Sequence, residues 1–323
     1  MTSRMIAFAL AALTFVLAPA LMAQTVGFPP APPLVSPARG AIDFHVHSAP
    51  DVFGRSMDDI DIAVLAKRKG MRALVLKNHV TMTADRAALV MKVVPGIEIF
   101  GGIVLNNAVG GINPAAVEWM HRMSGGRGKV VWLPTFDSDK HIKTLVDPKG
   151  SGIVAAPYGV VTPQVEEVLK IIARENLVLA TGHIHATEVV AVVKRAKELG
   201  VQNILITHAL TNIPGLSMEQ ARQVAQMGAF IEYCFLQSMT GPGAQHAWMK
   251  HWSKVSLKDL AQVVDEIGAK SLVLSSDLGQ HGNMTHPDAM EDMITGLLEE
   301  GVSQADIDLM VKKNPARLLG LQD

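Results

Sequence analysis

Apolar and polar positions alternate along Ile42-Asp43-Phe44-His45-Val46-His47, with Ile42, Phe44 and Val46 in one row and Asp43, His45 and His47 in the other. A period of two is that of a β-strand, whose successive side chains point to opposite faces. Ser48 and Pro50 then break the pattern, so the paired histidines fall at the C-terminal mouth of the strand. Short apolar runs predict further strands at Arg72 to Lys77, Ile97 to Leu105, Lys129 to Leu133, Leu177 to Ala180, Asn203 to Ile206, Ala229 to Tyr233 and Ser271 to Ser275.

Between these runs the spacing becomes helical. Asp58 to Gly70 carries Ile60, Ile62, Ala63, Leu65 and Ala66 and stops at glycine. Ala84 to Val94 is a second helix, and Asn113-Pro114 opens a third that runs to about Met123, with proline at its first position. Thr162-Pro163 opens another, and Val189, Val192, Val193, Ala196 and Leu199 form an apolar stripe that ends at Gly200. Ser217-Met218-Glu219-Gln220 fits a capping box, Ser256 with Asp259 starts a further helix, and two more close the chain. The glycine- and proline-containing stretch Ser138 to Val161 predicts a loop or short hairpin over the barrel end. Strands alternating with helices in this way predict an α/β chain folded as a (β/α)8 TIM barrel. A doubly wound open sheet is the rival, but no Gly-x-Gly-x-x-Gly turn follows the first strand.

Composition narrows the picture. The 323 residues suit one α/β barrel, for which about 250 is typical. A net charge of −1 gives no reason to invoke nucleic acid or an anionic membrane surface. The single cysteine, Cys234, excludes an internal disulfide and a cysteine-based zinc site. Arg4, the apolar run Ile6 to Leu17 and the small-residue exit Ala20-Leu21-Met22-Ala23 predict a signal peptide over residues 1–23, followed by a proline-rich lead-in over 24–40. The expected location is therefore periplasmic or secreted, with no stable membrane span in the mature chain.

The chemistry sits at the strand ends. The first strand ends in His45 and His47, the second in Lys77, the fifth in His183, the sixth in His208 and the eighth in Asp277. In a parallel barrel these ends converge on one mouth, where active sites lie. Imidazoles and a carboxylate meeting there suit one or two divalent ions, zinc first, at ligand distances of about 2.0–2.2 Å.

This pattern resembles the amidohydrolase superfamily of metal-dependent hydrolases, and specifically an uncharacterised amidohydrolase-like branch. The shared features are His-x-His on strand one, single histidines on strands five and six, and aspartate on strand eight. The resemblance runs from about Ala41 to Leu321 and includes the ending Asn314-Pro315-Ala316-Arg317-Leu318-Leu319-Gly320-Leu321. It implies that His45, His47, His183 and His208 are metal ligands, and that Asp277 both ligates and shuttles the proton. One departure is plain. Many binuclear members bridge their ions with a carboxylated lysine on strand four, whereas strand four here ends in Leu133-Pro134-Thr135. Some relatives take the bridge from strand two or three, which leaves Lys77 as the bridge, as a cation for a substrate carboxylate, or as a solvated lysine.

Other polar residues carry less. His79 and His281 follow mouth residues and are candidates for binding substrate or for supporting the ligands from behind; Arg55, after the first strand, is a third substrate-binding candidate, with a solvated loop as its alternative. Asp51 beside Arg55 fits a substrate contact or a solvated loop equally, and His185 lies one strand period beyond His183 where a helix already starts. His121 is expected on an exposed helix face, while His141, His246, His251 and His286 carry no assignment. Asp43 is expected to be a buried hydrogen-bonding partner and Cys234 a buried apolar side chain. The implied mechanism is attack by a metal-activated hydroxide, most simply on an amide or cyclic amide, whose leaving group needs a proton. A lactonase or phosphotriesterase, and a metal-dependent decarboxylase, use the same barrel. A non-enzymatic periplasmic metal- or ligand-binding protein has no need of a proton shuttle. The expected partner is a small-molecule substrate.

Overall fold

The computed structural model describes residues 35–322. The signal segment expected over residues 1–23 lies outside them. Eight strands form the sheet: β1 (Ile42–Val46), β2 (Ala73–Leu76), β3 (Glu98–Val104), β4 (Gly128–Trp132), β5 (Val178–Ala180), β6 (Asn203–Ile206), β7 (Phe230–Cys234) and β8 (Leu272–Ser275). They pair in sequence order, each parallel to the next. The turn closes where Asp277 N–H donates to His45 O (2.9 Å) and His47 N–H to Leu278 O (3.1 Å). The expected TIM barrel is the fold.

Among the described residues eleven α-helices intervene or follow: α1 (Asp59–Arg68), α2 (Ala84–Val93), α3 (Pro114–His121), the single turn α4 (Asp139–His141), α5 (Pro163–Arg174), α6 (Ala186–Glu198), α7 (Met218–Gln226), α8 (Leu257–Ile267), α9 (His286–Glu299), α10 (Gln304–Asp308) and α11 (Asn314–Leu319). Their starts follow the predicted caps. Asp58 accepts from Ile60 and Asp61, Asn113 from Ala116 and Thr162 from Val165, so each satisfies amides that the first turn leaves unpaired. Ser217 with Gln220 and Ser256 with Asp259 form reciprocal capping boxes. Among the described residues no helix is long and apolar enough to cross a membrane.

The period-two rows separate two apolar layers. Ala73 and Val75 of β2, Val130 and Trp132 of β4, and Val178 and Ala180 of β5 belong to the barrel interior. Their neighbours Leu74, Leu76, Val131, Leu133, Leu177 and Leu179 join Ile62, Val117, Val165 and Val192 in the layer between strands and helices. Lys77 continues the inner row Ala73–Val75, and Glu232 continues it from Phe230. In these rows the polar side chains of Lys77 and Glu232 lie above the apolar ones, toward the C-terminal ends of the strands.

Two stretches add detail to the expected pattern. Of the loop or short hairpin expected over Ser138 to Val161, the structure shows a loop, which holds α4, a π-helical turn over Ile142–Val146 and a 3-10 turn over Pro157–Gly159. After β7 two 3-10 turns, Phe235–Ser238 and Ala247–His251, precede α8. Both insertions lie after strand ends and supply walls of the cavity described below.

Candidate metal centre

The upper end of the barrel opens into a cavity of about 670 Å³, whose lining includes His47, Lys77, His79, His183, His208 and Asp277. Every strand-end residue singled out from the sequence is buried there or just beneath it: His45 is 0% exposed, Lys77 1%, His183 2% and Asp277 6%.

Asp277 is the hub. Its Oδ1 lies 3.0 Å from His45 Nε2 and 3.1 Å from His47 Nε2, and its Oδ2 lies 3.4 Å from His208 Nε2. Among the described residues, His45, His208, Cys234 and Asp277 place ligating atoms within 4.8 Å of one another. Burial opposes charge on Asp277, but the facing imidazoles of His45, His47 and His208 outweigh it and hold the carboxyl well below its usual range. Burial likewise keeps His47 and His183 neutral, with pKa values well below the ordinary histidine range, and lowers His208 to about 4. His45 is the exception: burial pulls its pKa down, yet Asp277 and Glu232 on either side raise it overall.

Backbone geometry marks the same places. His208 and Asp277 both adopt left-handed φ, +53° and +55°. Such a conformation costs a non-glycine residue about 1–3 kcal/mol and gathers at functional sites. Beside them, glycine is needed for close approach. A Cβ on Gly279 would meet His47 O at 1.9 Å, and one on Gly182 would meet Leu133 O at 2.2 Å. The loops that carry Asp277 and His183 therefore pack directly on neighbouring strand ends.

The donor set fits a divalent ion. Imidazole nitrogens and a carboxylate converge, the imidazoles other than His45 are held neutral, and the flanking carboxylates favour positive charge at His45 Nε2, whether a proton or an ion. Among the described residues, the buried atoms His183 Nε2 and His208 Nδ1 have no hydrogen-bond partner. Cys234 is a poorer donor. Its Sγ lies 3.5 Å from His45 Nδ1, but burial pushes the thiol well above its usual pKa and keeps it protonated. It is buried as expected, and it also touches the centre.

Lys77 places Nζ 2.8 Å from His45 Nε2 and 5.4 Å over the Trp132 ring. A solvated lysine is excluded by this burial. Burial lowers its pKa, against the opposing pull of Asp277 and Glu232.

The three weaker candidates all line the cavity. His79 is sandwiched between His47 (ring centroids 4.7 Å) and Phe136 (3.9 Å), with Nδ1 2.9 Å from Thr135 Oγ1. Arg55 donates to Asp51 (2.8 Å) and lies 3.3 Å from His47 Nδ1, so Asp51 acts as its anchor. His281 is exposed on the wall. Asp43 does what its place in the strand predicts: it accepts from the backbone N–H groups of His45 (3.1 Å) and Ser276 (2.9 Å) and from Ser276 Oγ. Burial pushes its carboxyl up to about 6.

Other contributors were not read from the sequence. Glu232, fully buried on β7, places Oε1 3.3 Å from His45 Nδ1 and accepts from Ser275 Oγ at 2.8 Å. His286 donates from Nε2 to Leu278 O (2.8 Å) and His47 O (3.0 Å), pinning the β8 loop to the end of β1. His141 lies against His183, with their Nδ1 atoms 2.9 Å apart. His185 caps α6 and stays outside the centre.

No curated protein matches the chain. Among solved structures it is similar to an organophosphorus hydrolase from Deinococcus radiodurans, with 18% identity over 88% of this chain and 94% of that one and a TM-score of 0.59. It is also similar to a phosphotriesterase homology protein from Escherichia coli complexed with phosphate in the active site (14%, 87% and 99%, TM-score 0.57). An amidohydrolase from Pseudomonas aeruginosa is a third (12%, 86% and 95%, TM-score 0.55). At these identities the likeness is one of fold, and it is the fold that the strand-end pattern predicts. Residues 40–232, which carry His45, His47, Lys77, His183 and His208, match the model described as "Family of unknown function (DUF6282)", and the chain belongs to that family.

Proposed function

We propose that the protein is a metal-dependent hydrolase of a small, largely apolar substrate. The observation that carries this reading is Asp277: one carboxylate within 3.0–3.4 Å of three histidine nitrogens on the floor of a cavity. His45, His47, His208 and Asp277 would hold the first ion, with His183 beside them and Lys77 as the bridge if there are two. Such an ion, zinc being the best match to this donor set, lowers the pKa of a water and polarises the bond to be broken.

The chain's own groups do the rest. Asp277 accepts the proton of the attacking water and returns it to the leaving group. Phe53, Phe136, Leu145, Leu236 and Trp252 line the cavity, give it an apolar wall and exclude bulk water. Arg55 and His79 orient the substrate from the side of His47.

The bond is most simply a carbon–nitrogen bond of an amide or cyclic amide, because a carboxylate that delivers a proton matters most where the leaving group is poor. The second reading, a lactone or phosphotriester, is supported by neighbours described as a phosphotriesterase homology protein and as derived from a weak promiscuous lactonase. A turnover screen over amides, lactones and phosphotriesters, with metal-stripped protein as control, separates the two. Elemental analysis of the same protein is expected to find one or two divalent ions per chain, and His45→Ala or His208→Ala to strip them. A wild-type protein that neither carries nor takes up metal would overturn the proposal.

A further inference from the structure

His141 and His183 are 42 residues apart in sequence, yet they meet as a built pair. Their rings are nearly parallel (16°), with centroids 5.0 Å apart and Nδ1 atoms at 2.9 Å. Both are buried. One hydroxyl ties their main chains together: Ser138 Oγ donates to His183 O (2.8 Å) and accepts from His141 N–H (3.1 Å). The loop is fixed in turn by Asp139 N–H to Ile153 O (3.1 Å) and Ile153 N–H to Asp137 O (2.7 Å). His141 is therefore held where it is by more than its own rotamer.

We propose that His141 is a positioning residue of the metal centre, accepting the Nδ1–H of His183 and so holding His183 in the tautomer whose Nε2 lone pair is free for an ion. This inference rests on the metal reading given above. Two neutral imidazoles that face each other through Nδ1 share one proton, and the nitrogen at the far side of His183 decides which ring gives it. Were His141 the donor, His183 would carry its proton on Nε2, a buried N–H with no acceptor, which is a costly state. With His183 as donor, the unpartnered atom is a lone pair, which is what a ligand needs.

His45 shows the same layout with a different acceptor. Its Nδ1 faces Glu232 Oε1 at 3.3 Å, and its Nε2 faces Asp277 at 3.0 Å. A ligating histidine that gives its other N–H to a fixed acceptor keeps both its tautomer and its ring orientation. For His45 that acceptor is a carboxylate; for His183 it is an imidazole. A joint ligation in which both Nδ1 atoms bind one ion would again leave a buried, unpaired N–H on His183, so the geometry favours the hydrogen bond.

The test uses the full chain with 15N-labelled histidine, free of metal and loaded with zinc alone. Long-range proton–nitrogen spectra are expected to show His183 protonated at Nδ1 in both forms, with Nε2 shifted on zinc binding. By chelator competition, His141→Ala is expected to weaken zinc binding by about 10–100-fold, the usual effect of losing such a partner. His141→Asn, whose amide oxygen can accept, is expected to recover most of that loss. A zinc-type shift at His183 Nδ1, or an alanine variant with unchanged affinity, overturns the proposal. Loss of a whole equivalent of zinc in both variants also overturns it and makes His141 a ligand. A wild-type chain that takes up no zinc removes the hydrolase reading instead, while the tautomer of the metal-free protein still tests the hydrogen bond.

Discussion

Glu232 Oε1 stands 3.3 Å from Nδ1 of His45, and neither side chain has any exposure to solvent. Burial raises the pKa of Glu232, but the charge of His45 beside it outweighs burial and leaves the carboxyl below its usual value. The pair binds β7 to β1 across the barrel and turns the other imidazole nitrogen toward Asp277. A carboxylate so placed fixes the ring and strengthens it as a ligand. Glu232→Ala is accordingly expected to weaken metal binding about 10–100-fold, with Glu232→Gln intermediate, because its amide oxygen still accepts. Chelator competition measures it; an alanine variant with wild-type affinity would show that His45 needs no such partner.

The strand ends were legible because a period of two and a break in it are local features. His45, His47, Lys77, His183, His208 and Asp277 each end an apolar run, and the parallel barrel brings the ends together whatever the helices between them do. Glu232 left a weaker signal, one acidic residue inside the apolar run Phe230-Ile231-Glu232-Tyr233-Cys234, which is informative only once the inner row is known. His141 left none. It sits in a stretch without periodicity, and its meeting with His183 depends on Ser138 and on the pairing near Ile153, which are tertiary facts. His286 carried no assignment in the sequence; in the structure it is the first residue of α9, capped by Thr285, and its contact with the end of β1 appears only when the barrel closes.

The export segment is a proposal of a different kind, carried by Arg4, the apolar run Ile6 to Leu17 and the small residues up to Ala23. N-terminal sequencing of protein recovered from the periplasmic fraction is expected to begin at Gln24. A chain there that still starts at Met1 would mean that the run is not removed.

Asp277 separates chemistry from binding. Asp277→Asn keeps the size of the side chain and one acceptor oxygen while removing the ability to take a proton. Turnover on any substrate found in the screen is expected to fall by about 10²–10⁴, the usual share of general acid–base catalysis. Circular dichroism should show the fold retained, with metal content somewhat reduced. Wild-type turnover in the variant would assign the proton to another group lining the cavity, His281 first.

Lys77 decides between one ion and two. An extended, solvated ammonium is ruled out by its 1% exposure and by the 2.8 Å contact with His45 Nε2. A charged ammonium at that distance from a ligand nitrogen would repel any ion bound there. A lysine in this position therefore serves the centre best as a carbamate, formed when the neutral amine adds carbon dioxide and loses a proton. Two like-charged ions close together need such an anion between them. Lys77→Ala is then expected to halve the metal content and abolish turnover, and added short carboxylates should restore part of both by filling the vacated space. The competing role, a cation for a substrate anion, predicts something else: full metal content, a raised KM and no rescue by carboxylates. Metal analysis of the alanine variant with and without added acetate distinguishes the two, and full metal in its absence would sink the bridge.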